Sequence, residues 1–405
     1  MYLKHLSLTN FRNYARLDVD VPKGILLLVG DNAQGKTSLL EAVYYLATFV
    51  SFHANSDRQL VNFLASRESL AVARIVADFD RQDPIKGLNQ HRIEVRIIQE
   101  VNGYNNVPRV RKEILLDGVK RKISEVVGQF NAVLFLPHTL QVIEGAPEER
   151  RRYLNLTLAQ VLPYYATYLA GYTRALSQRN ALLKQINERN ADLDQLGYWD
   201  ELLVTSGAKL ISARIHAIQE LENLSSQIHN QLTRDVEVLR LSYEPAYDPL
   251  PQPEQQFVLP LEAPVDRSSI SLEKIQQGFM EKLAELRDEE VSRGVTTIGP
   301  HRDELRFFSN GIDLGTYGSR GQVRTAMLSL KLAEVAWMKE KAGQWPVLLL
   351  DEVLAELDIQ RRDDLLSRLA DSEQSLLTTT DLDLFSSNFT ESATLWRVQD
   401  GRLQE

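Results

Sequence analysis

Residues Gly30-Asp31-Asn32-Ala33-Gln34-Gly35-Lys36-Thr37 read G-x-x-x-x-G-K-T, and they constrain the chain more than any other stretch. The apolar run Ile25-Leu26-Leu27-Leu28-Val29 precedes them, and residues 38–46, opening with Ser38-Leu39-Leu40, follow with apolar side chains at helical spacing. Strand, glycine-rich turn and helix are the context in which this spacing carries chemistry. The glycines let the backbone turn so that successive N–H groups point inward, and the helix N-terminus adds partial positive charge. Lys36 then reaches the β- and γ-phosphates of a nucleotide, and the Thr37 hydroxyl is placed to ligate Mg²⁺. A bare glycine turn explains the pattern poorly once both flanks are counted. The stretch predicts a nucleotide site.

At 405 residues the chain has room for two or three domains, or for one domain with a large insertion. Its 43% hydrophobic and 25% charged residues suit a globular protein with a sizeable core. The absence of cysteine excludes disulfides, thiolate metal sites and a cysteine nucleophile. The first residues lack the apolar core of a signal peptide, and no apolar run reaches membrane-spanning length, so a cytosolic location is expected. A formal net charge of −9 argues against a surface that grips nucleic acid unaided. Basic clusters stand at Arg109/Arg111/Lys112, Lys120/Arg121/Lys122 and Arg150/Arg151/Arg152, and each alone reads first as a solvated face. DNA binding by this chain would therefore need a local patch or dimerisation.

Alternating apolar residues on both sides of Asn10-Phe11-Arg12-Asn13-Tyr14 predict a β-hairpin, with Pro22-Lys23-Gly24 turning into the phosphate-loop strand. Arg12 at its apex reads equally as a surface charge or a phosphate contact. Residues 70–118 read as antiparallel strands with turns at Asp83-Pro84, Val101-Asn102-Gly103-Tyr104-Asn105-Asn106 and Asp117-Gly118. From about 148 to 239 the period turns helical. Leu162, Leu169, Leu176 and Leu183 fall seven apart, and after a break at 190–197 a second helical run reaches Leu232. This predicts a short antiparallel helical arm. Prolines 245, 249, 251, 253, 260 and 264 mark residues 243–265 as a loop or linker, and a further helix over 272–291 should end at Gly294.

The last third brings more site chemistry. Ser319-Arg320-Gly321-Gln322 caps a helical run over 323–341, a second place where backbone N–H groups meet a phosphate. The strand Val347-Leu348-Leu349-Leu350 ends in Asp351-Glu352, where Asp351 suits Mg²⁺ and Glu352 can polarise an attacking water. Leu376-Leu377-Thr378-Thr379-Thr380 looks like one more strand end. Ligands gather at the carboxyl ends of strands in α/β sheets, so these ends should converge.

The order of phosphate loop, Ser-x-Gly-Gln turn, strand-Asp-Glu and Leu357-Asp358 resembles the ATP-binding-cassette ATPases. The finer likeness is to the RecF family of the SMC-like branch. It rests on Leu8-Thr9-Asn10-Phe11-Arg12-Asn13-Tyr14, Gly299-Pro300-His301-Arg302-Asp303, Gly318-Ser319-Arg320-Gly321-Gln322 and the run from Leu350 to Asp358. Arg150-Arg151-Arg152-Tyr153-Leu154 also resembles the family's basic segment. Three places depart from the pattern: Pro137-His138-Thr139 lacks an acidic pair, Thr380 stands where transporters carry a switch His, and Arg320 replaces the usual Gln or Gly.

The resemblance implies an α/β fold, an ABC-type ATPase head with a mixed β-sheet, flanking helices and an antiparallel β subdomain, carrying an inserted antiparallel helical arm. The head's halves would be 1–145 and 291–405, with arm and connector at 146–290. It implies ATP and Mg²⁺ as cofactors. Gly30, Asp31, Asn32, Ala33, Gln34, Gly35, Lys36, Thr37 and Ser38 would hold the phosphates, with Arg12 touching them. Thr37 and Asp351 would hold the metal, and Lys36, Asp351 and Glu352 would carry the chemistry. Ser319, Gly321 and Gln322 would face the γ-phosphate bound by a second copy, with Asp358 at that interface. The implied protein is an ATP-dependent homodimer and weak DNA-dependent ATPase at gapped DNA and single-strand/duplex junctions, working with RecR and RecO and indirectly with RecA, near the nucleoid and without a membrane. The alternatives are a transporter's nucleotide-binding subunit, which would carry the switch His, and a chromosome-organising SMC protein, whose arm would be several times longer.

Overall fold

The computed structural model describes residues 1–83, 87–101, 108–188, 191–250 and 265–404. It divides into two compact units, one of Met1–Thr139 with Met338–Glu405 and one of Leu140–Trp337.

In the first unit, β1 (Tyr2–Phe11), β2 (Tyr14–Asp20), β4 (Leu70–Asp83), β5 (Gly87–Val101), β6 (Pro108–Leu116) and β7 (Val119–Arg121) form one antiparallel sheet in the order β2-β1-β4-β5-β6-β7. Alternation fixes its faces: Leu6, Leu8, Ala73, Ile75, Ile93, Val95 and Ile97 point into the core. The Asp117-Gly118 turn has positive φ at both residues, which suits a two-residue hairpin. Of the other two expected turns, Pro84 and residues 102–106 lie outside the described residues.

The second sheet of this unit runs β15-β14-β3-β13-β12-β8, made of β3 (Gly24–Val29), β8 (Ala132–Phe135), β12 (Val347–Asp351), β13 (Gln374–Thr379), β14 (Thr394–Gln399) and β15 (Arg402–Gln404). All its pairs are parallel except β14 with β15. Strands buried on both faces need no alternation, which is why Ile25 to Val29 and Val347 to Leu350 read as unbroken apolar runs. The Lys36–Thr48 helix packs on β8, β12 and β13 and also on β4, so one apolar core joins both sheets.

In the second unit, helices Tyr165–Asn187 and Leu196–Thr233 form the arm and pack on one another. The seven-residue period is present, but its phase is not the one the leucines suggest. A separate helix, Pro147–Val161, ends before Leu162, and Tyr164 takes a left-handed conformation there. The buried seam of the next helix is Tyr165, Tyr172, Arg179 and Ile186, also seven apart, with Ala175, Leu182 and Leu183 beside it, so of the expected leucines Leu183 is buried here. An arginine within that seam is stabilised by acids: Asp200 at 2.6 Å and Glu290 at 2.6 Å. The second arm helix stops at Thr233, and residues 239–244, expected as helix end and loop, are β9 (Leu239–Glu244). β9 pairs with β10 (Glu304–Ser309), which pairs with β11 (Ile312–Asp313). The 272–291 helix is two pieces, Leu272–Glu285 and Arg287–Arg293, closed by left-handed Gly294 as expected. Of the proline-rich stretch, residues 251–264 lie outside the described residues.

Candidate nucleotide-binding site

The 30–37 loop joins the carboxyl end of β3 to the Lys36–Thr48 helix. Ala33 and Gly35 both have positive φ, 64° and 119°. At Gly35 a Cβ would sit 2.5 Å from Asn13 Nδ2, and at Gly30 it would sit 2.3 Å from the carbonyl oxygen of Val398, so both positions are closed to larger residues. The loop is held from outside by two turns that sequence reasoning gave no such role. Asn13 Nδ2 donates to Gln34 O at 3.0 Å and Tyr14 Oη to Gly35 O at 3.0 Å. From the far end of the chain, Gly401 N donates to the same Gln34 carbonyl at 3.0 Å and Asp400 N to Gln34 Oε1 at 2.7 Å. Asp-Gly at 400–401 is a readable hairpin signal between β14 and β15, but nothing in the sequence tells where that hairpin lies.

Lys36 is 3% exposed, and its ammonium donates to Gly30 O at 2.7 Å and Asp31 O at 2.9 Å, with Glu352 Oε1 at 3.4 Å. Thr37 Oγ1 meets both carboxylate oxygens of Asp351, at 2.9 and 3.0 Å. Thr378, at the end of β13, donates to Asp351 Oδ1 at 2.7 Å and accepts from Glu352 N at 3.0 Å. Glu352 itself is left-handed, φ 51° and ψ 20°. Lys36, Thr37, Asp351 and Glu352 are thus brought together as the sequence predicts. Thr378 is an addition: a threonine-rich strand end looks generic until its register with Asp351 is known.

Arg12 caps the β1–β2 hairpin with φ 52°. Its Nε and Nη2 bond the buried Glu41 carboxylate at 2.6 and 2.8 Å, and Nη1 bonds Gln59 O at 3.1 Å. A guanidinium has five N–H groups, so each terminal nitrogen keeps one for another acceptor. Glu41, on the helix that follows the loop, therefore fixes Arg12 without exhausting it. Asp31, Asn32 and Ala33 are exposed, and Ser38 is half-buried.

Thr37 and Asp351 offer a hydroxyl and a carboxylate, the hard oxygen donors that Mg²⁺ prefers. Among the described residues no group of three or more His, Cys, Asp or Glu gathers as a metal cage.

In the second unit, Ser319 and Gln322 form a reciprocal cap at the start of helix Arg320–Ala342: Ser319 N donates to Gln322 Oε1 at 3.1 Å and Gln322 N to Ser319 Oγ at 3.2 Å. Ser319, Arg320 and Gly321 are exposed, as is Tyr317 at 77%. Asp358, in the first unit, caps helix Ile359–Ala370 by accepting from Arg361 N at 2.9 Å, and that bond holds its carboxyl below the usual range.

Residues 2–402 match the RecF/RecN/SMC N-terminal domain family. The DNA replication and repair protein RecF of Chloroflexus aggregans is 40% identical over all of this chain and 99% of its own length. That of Bacillus subtilis is 35% identical over the full length of both. The chain belongs to the RecF family. Two structures of the recombination mediator protein RecF in the RecFOR pathway, RecF-ATP and RecF-ATPrS, superpose on all of this chain and 97% of theirs at 30% identity, with TM-scores of 0.82 and 0.79. The Smc head domain of Pyrococcus furiosus, at 17% identity and a TM-score of 0.51, shares the fold.

The Gly-Pro-His-Arg-Asp run that carries much of the RecF likeness lies in the second unit, with Arg302 exposed and Asp303 buried. Asp303 is 1% exposed and takes Arg214 Nη1 at 2.6 Å, Tyr243 Oη at 2.5 Å and Ala246 N at 3.0 Å. Arg214 also reaches Pro300 O and Asn155 Oδ1, tying the arm helix to this turn. His301 accepts from Tyr172 Oη at Nδ1, 2.6 Å, and faces Thr296 O through Nε2, 3.2 Å, which sets the neutral Nε2–H tautomer. Burial lowers its pKa to about 4. Arg150 and Arg151 are not a solvated face: Arg150 pairs with Glu304 at 2.5 Å and Arg151 bonds Asp303 O at 2.9 Å, because the helix they start packs on β10.

Proposed function

We propose that this chain is an ATP-gated DNA clamp of recombinational repair and replication-fork maintenance. The observation that carries this reading is the meeting of Thr37 with both oxygens of Asp351, beside Lys36 and Glu352, at the mouth of a G-x-x-x-x-G-K-T loop. The names of its relatives, a DNA replication and repair protein and a recombination mediator solved as RecF-ATP and RecF-ATPrS, support the process and the nucleotide. The backbone of the 30–38 stretch and Lys36 hold the phosphates, with Arg12 and Asn32 as further contacts. Thr37 and Asp351 hold Mg²⁺, which supplies charge neutralisation on the phosphates. Glu352 takes the proton of the attacking water, and Thr378 keeps Glu352 and Asp351 in register.

Functionally the head is built from residues 1–145 and 291–405, and 146–290 is the arm with its connector. Ser319, Gly321 and Gln322 of one copy meet the γ-phosphate held by another, with Asp358 at the same interface. Reciprocal use of the same surfaces gives a twofold dimer. ATP closes that dimer on gapped DNA or a single-strand/duplex junction, slow hydrolysis opens it, and RecR, RecO and indirectly RecA act with it in the cytoplasm. Sedimentation and gapped-DNA binding, with and without ATP, test the proposal. Glu352→Gln should accumulate an ATP-bound dimer that releases DNA more slowly. A variant that stays monomeric at saturating ATP and binds DNA no better refutes the clamp.

A further inference from the structure

The face of the antiparallel sheet turned away from the core is divided by charge. Cross-strand partners share a face, so the register places Arg16, Thr9, Arg74, Arg96 and Glu113 in one row across β2, β1, β4, β5 and β6. The adjoining rows add Arg111 opposite Ile98 and Arg109 opposite Glu100. Toward the other end of the same face stand Asp18, Asp20, Asp78 and Asp80, with His5 between Asp18 and Asp20. On a chain of net charge −9, Arg16, Arg74, Arg96, Arg109 and Arg111 are thus gathered at one end of one face, the end nearest the Arg12 turn, while Arg92 stands at the other end paired with Asp78.

These arginines are held in place. Glu94, 8% exposed, accepts Arg74 Nε at 2.7 Å and Nη2 at 3.0 Å and Arg96 Nε at 2.6 Å. The bonds from Arg74 above all lower its carboxyl to about 2, so it stays charged beneath them. Glu113 does the same for Arg111 and Lys120. Arg74 and Arg111 remain half exposed, at 44% and 53% of their side chains, with guanidinium N–H groups still to give. A buried carboxylate that fixes an exposed arginine removes rotamer freedom before any ligand arrives, which favours tight contact to phosphate oxygens. Lys112, in the same sequence cluster, alternates to the inner face and bonds Asp57 at 3.0 Å.

We propose that this arginine row is where the DNA backbone lies, a placement that rests on the DNA-binding reading above. The row's arginines run from β2 to β5, three strand spacings or roughly 14 Å at about 4.8 Å each, the length of some four base pairs. The contact is to phosphates and carries no base sequence. The β1–β2 hairpin joins the row to the nucleotide loop: Thr9 and Arg16 lie in the row, and Arg12, Asn13 and Tyr14 hold the loop and its helix.

The test uses the full chain with ATP and a fluorescent gapped duplex across a salt series. Arg74→Gln with Arg96→Gln should weaken binding by about tenfold to a hundredfold and reduce the slope of log affinity against log salt by about two. Arg92→Gln, on the same face but paired with Asp78 at the acidic end, should change neither. ATP-driven dimerisation should be unchanged in both variants, which shows that they are folded. A double variant with wild-type affinity and slope overturns the row. So does a double variant that keeps DNA binding and loses binding to poly-glutamate, which would assign the face to an acidic polypeptide. Failure of the unmodified protein to bind DNA would instead sink the clamp itself.

Discussion

Replacing Thr378 by valine keeps its volume and removes one hydroxyl that serves two residues of the site. Thr378 Oγ1 donates to Asp351 at 2.7 Å and accepts from Glu352 N at 3.0 Å. The first bond reaches a carboxylate, worth about 1.5–3 kcal/mol, and the second leaves a part-buried N–H without its acceptor, about 1–3 kcal/mol. Glu352 also sits at φ 51°, a conformation that costs a non-glycine residue about 1–3 kcal/mol and persists only where neighbours enforce it. Partial relaxation should leave a net stability loss of about 3 kcal/mol. Each 1.4 kcal/mol that falls on the reacting geometry is about tenfold in rate. We expect Thr378→Val to lower ATP turnover by about ten- to a hundredfold with nucleotide affinity within about threefold, and Thr378→Ser to recover most of it. Single-turnover hydrolysis with a parallel nucleotide titration measures both. A variant that melts earlier yet turns over at the wild-type rate would show that Thr378 supports the sheet and does not position Glu352.

Three more outcomes follow from geometry. Arg214→Met should destabilise the second unit by about 3–5 kcal/mol, since it strands the buried Asp303 carboxylate, and adding Asp303→Asn should return part of that loss; hydrogen exchange of the arm helices reports it. His301 is neutral when folded, and its pKa of about 4 lies below the ordinary 6.5. Between those values the unfolded chain binds a proton that the folded chain does not, so stability is full above about 6.5 and falls toward pH 4 by at most about 1.4 kcal/mol per unit. Acid unfolding of His301→Gln should be shallower over that window. Ser319→Ala should cost about 1 kcal/mol by removing a helix cap, whereas Ser319→Asp keeps the cap and repels a γ-phosphate, so it should melt normally and fail to dimerise with ATP.

The chemistry-bearing strand ends were legible because each is a local signal. An apolar run stops at Gly30 or Asp351, and parallel sheets put such ends together. What the sequence hides depends on register and on remote neighbours. Thr378 gains its role only because β13 pairs with β12 at Asp351, and Asp400 and Gly401 only because β14 lies beside β3. The arm shows a different limit. A seven-residue repeat has the right period, but periodicity alone does not say that Tyr165, Tyr172 and Arg179 face inward in preference to the leucines three residues earlier. Arg179 is the reason: a buried cation is not sought in a seam until Asp200 and Glu290 are seen around it. For the same reason Arg150 reads as surface charge until β10 brings Glu304 to it.

The strand that leads into the nucleotide loop, β3, has β13 on one side and β14 on the other, both made after nearly all the rest of the chain. During synthesis the arm can fold from near neighbours while Ile25 to Val29 waits, apolar and unpaired, for residues that the ribosome has not yet added. A chain cut short before Thr394 would keep its phosphate-loop motif and lose the wall that shapes it. Shaping of the nucleotide loop thus waits until β14 has been made.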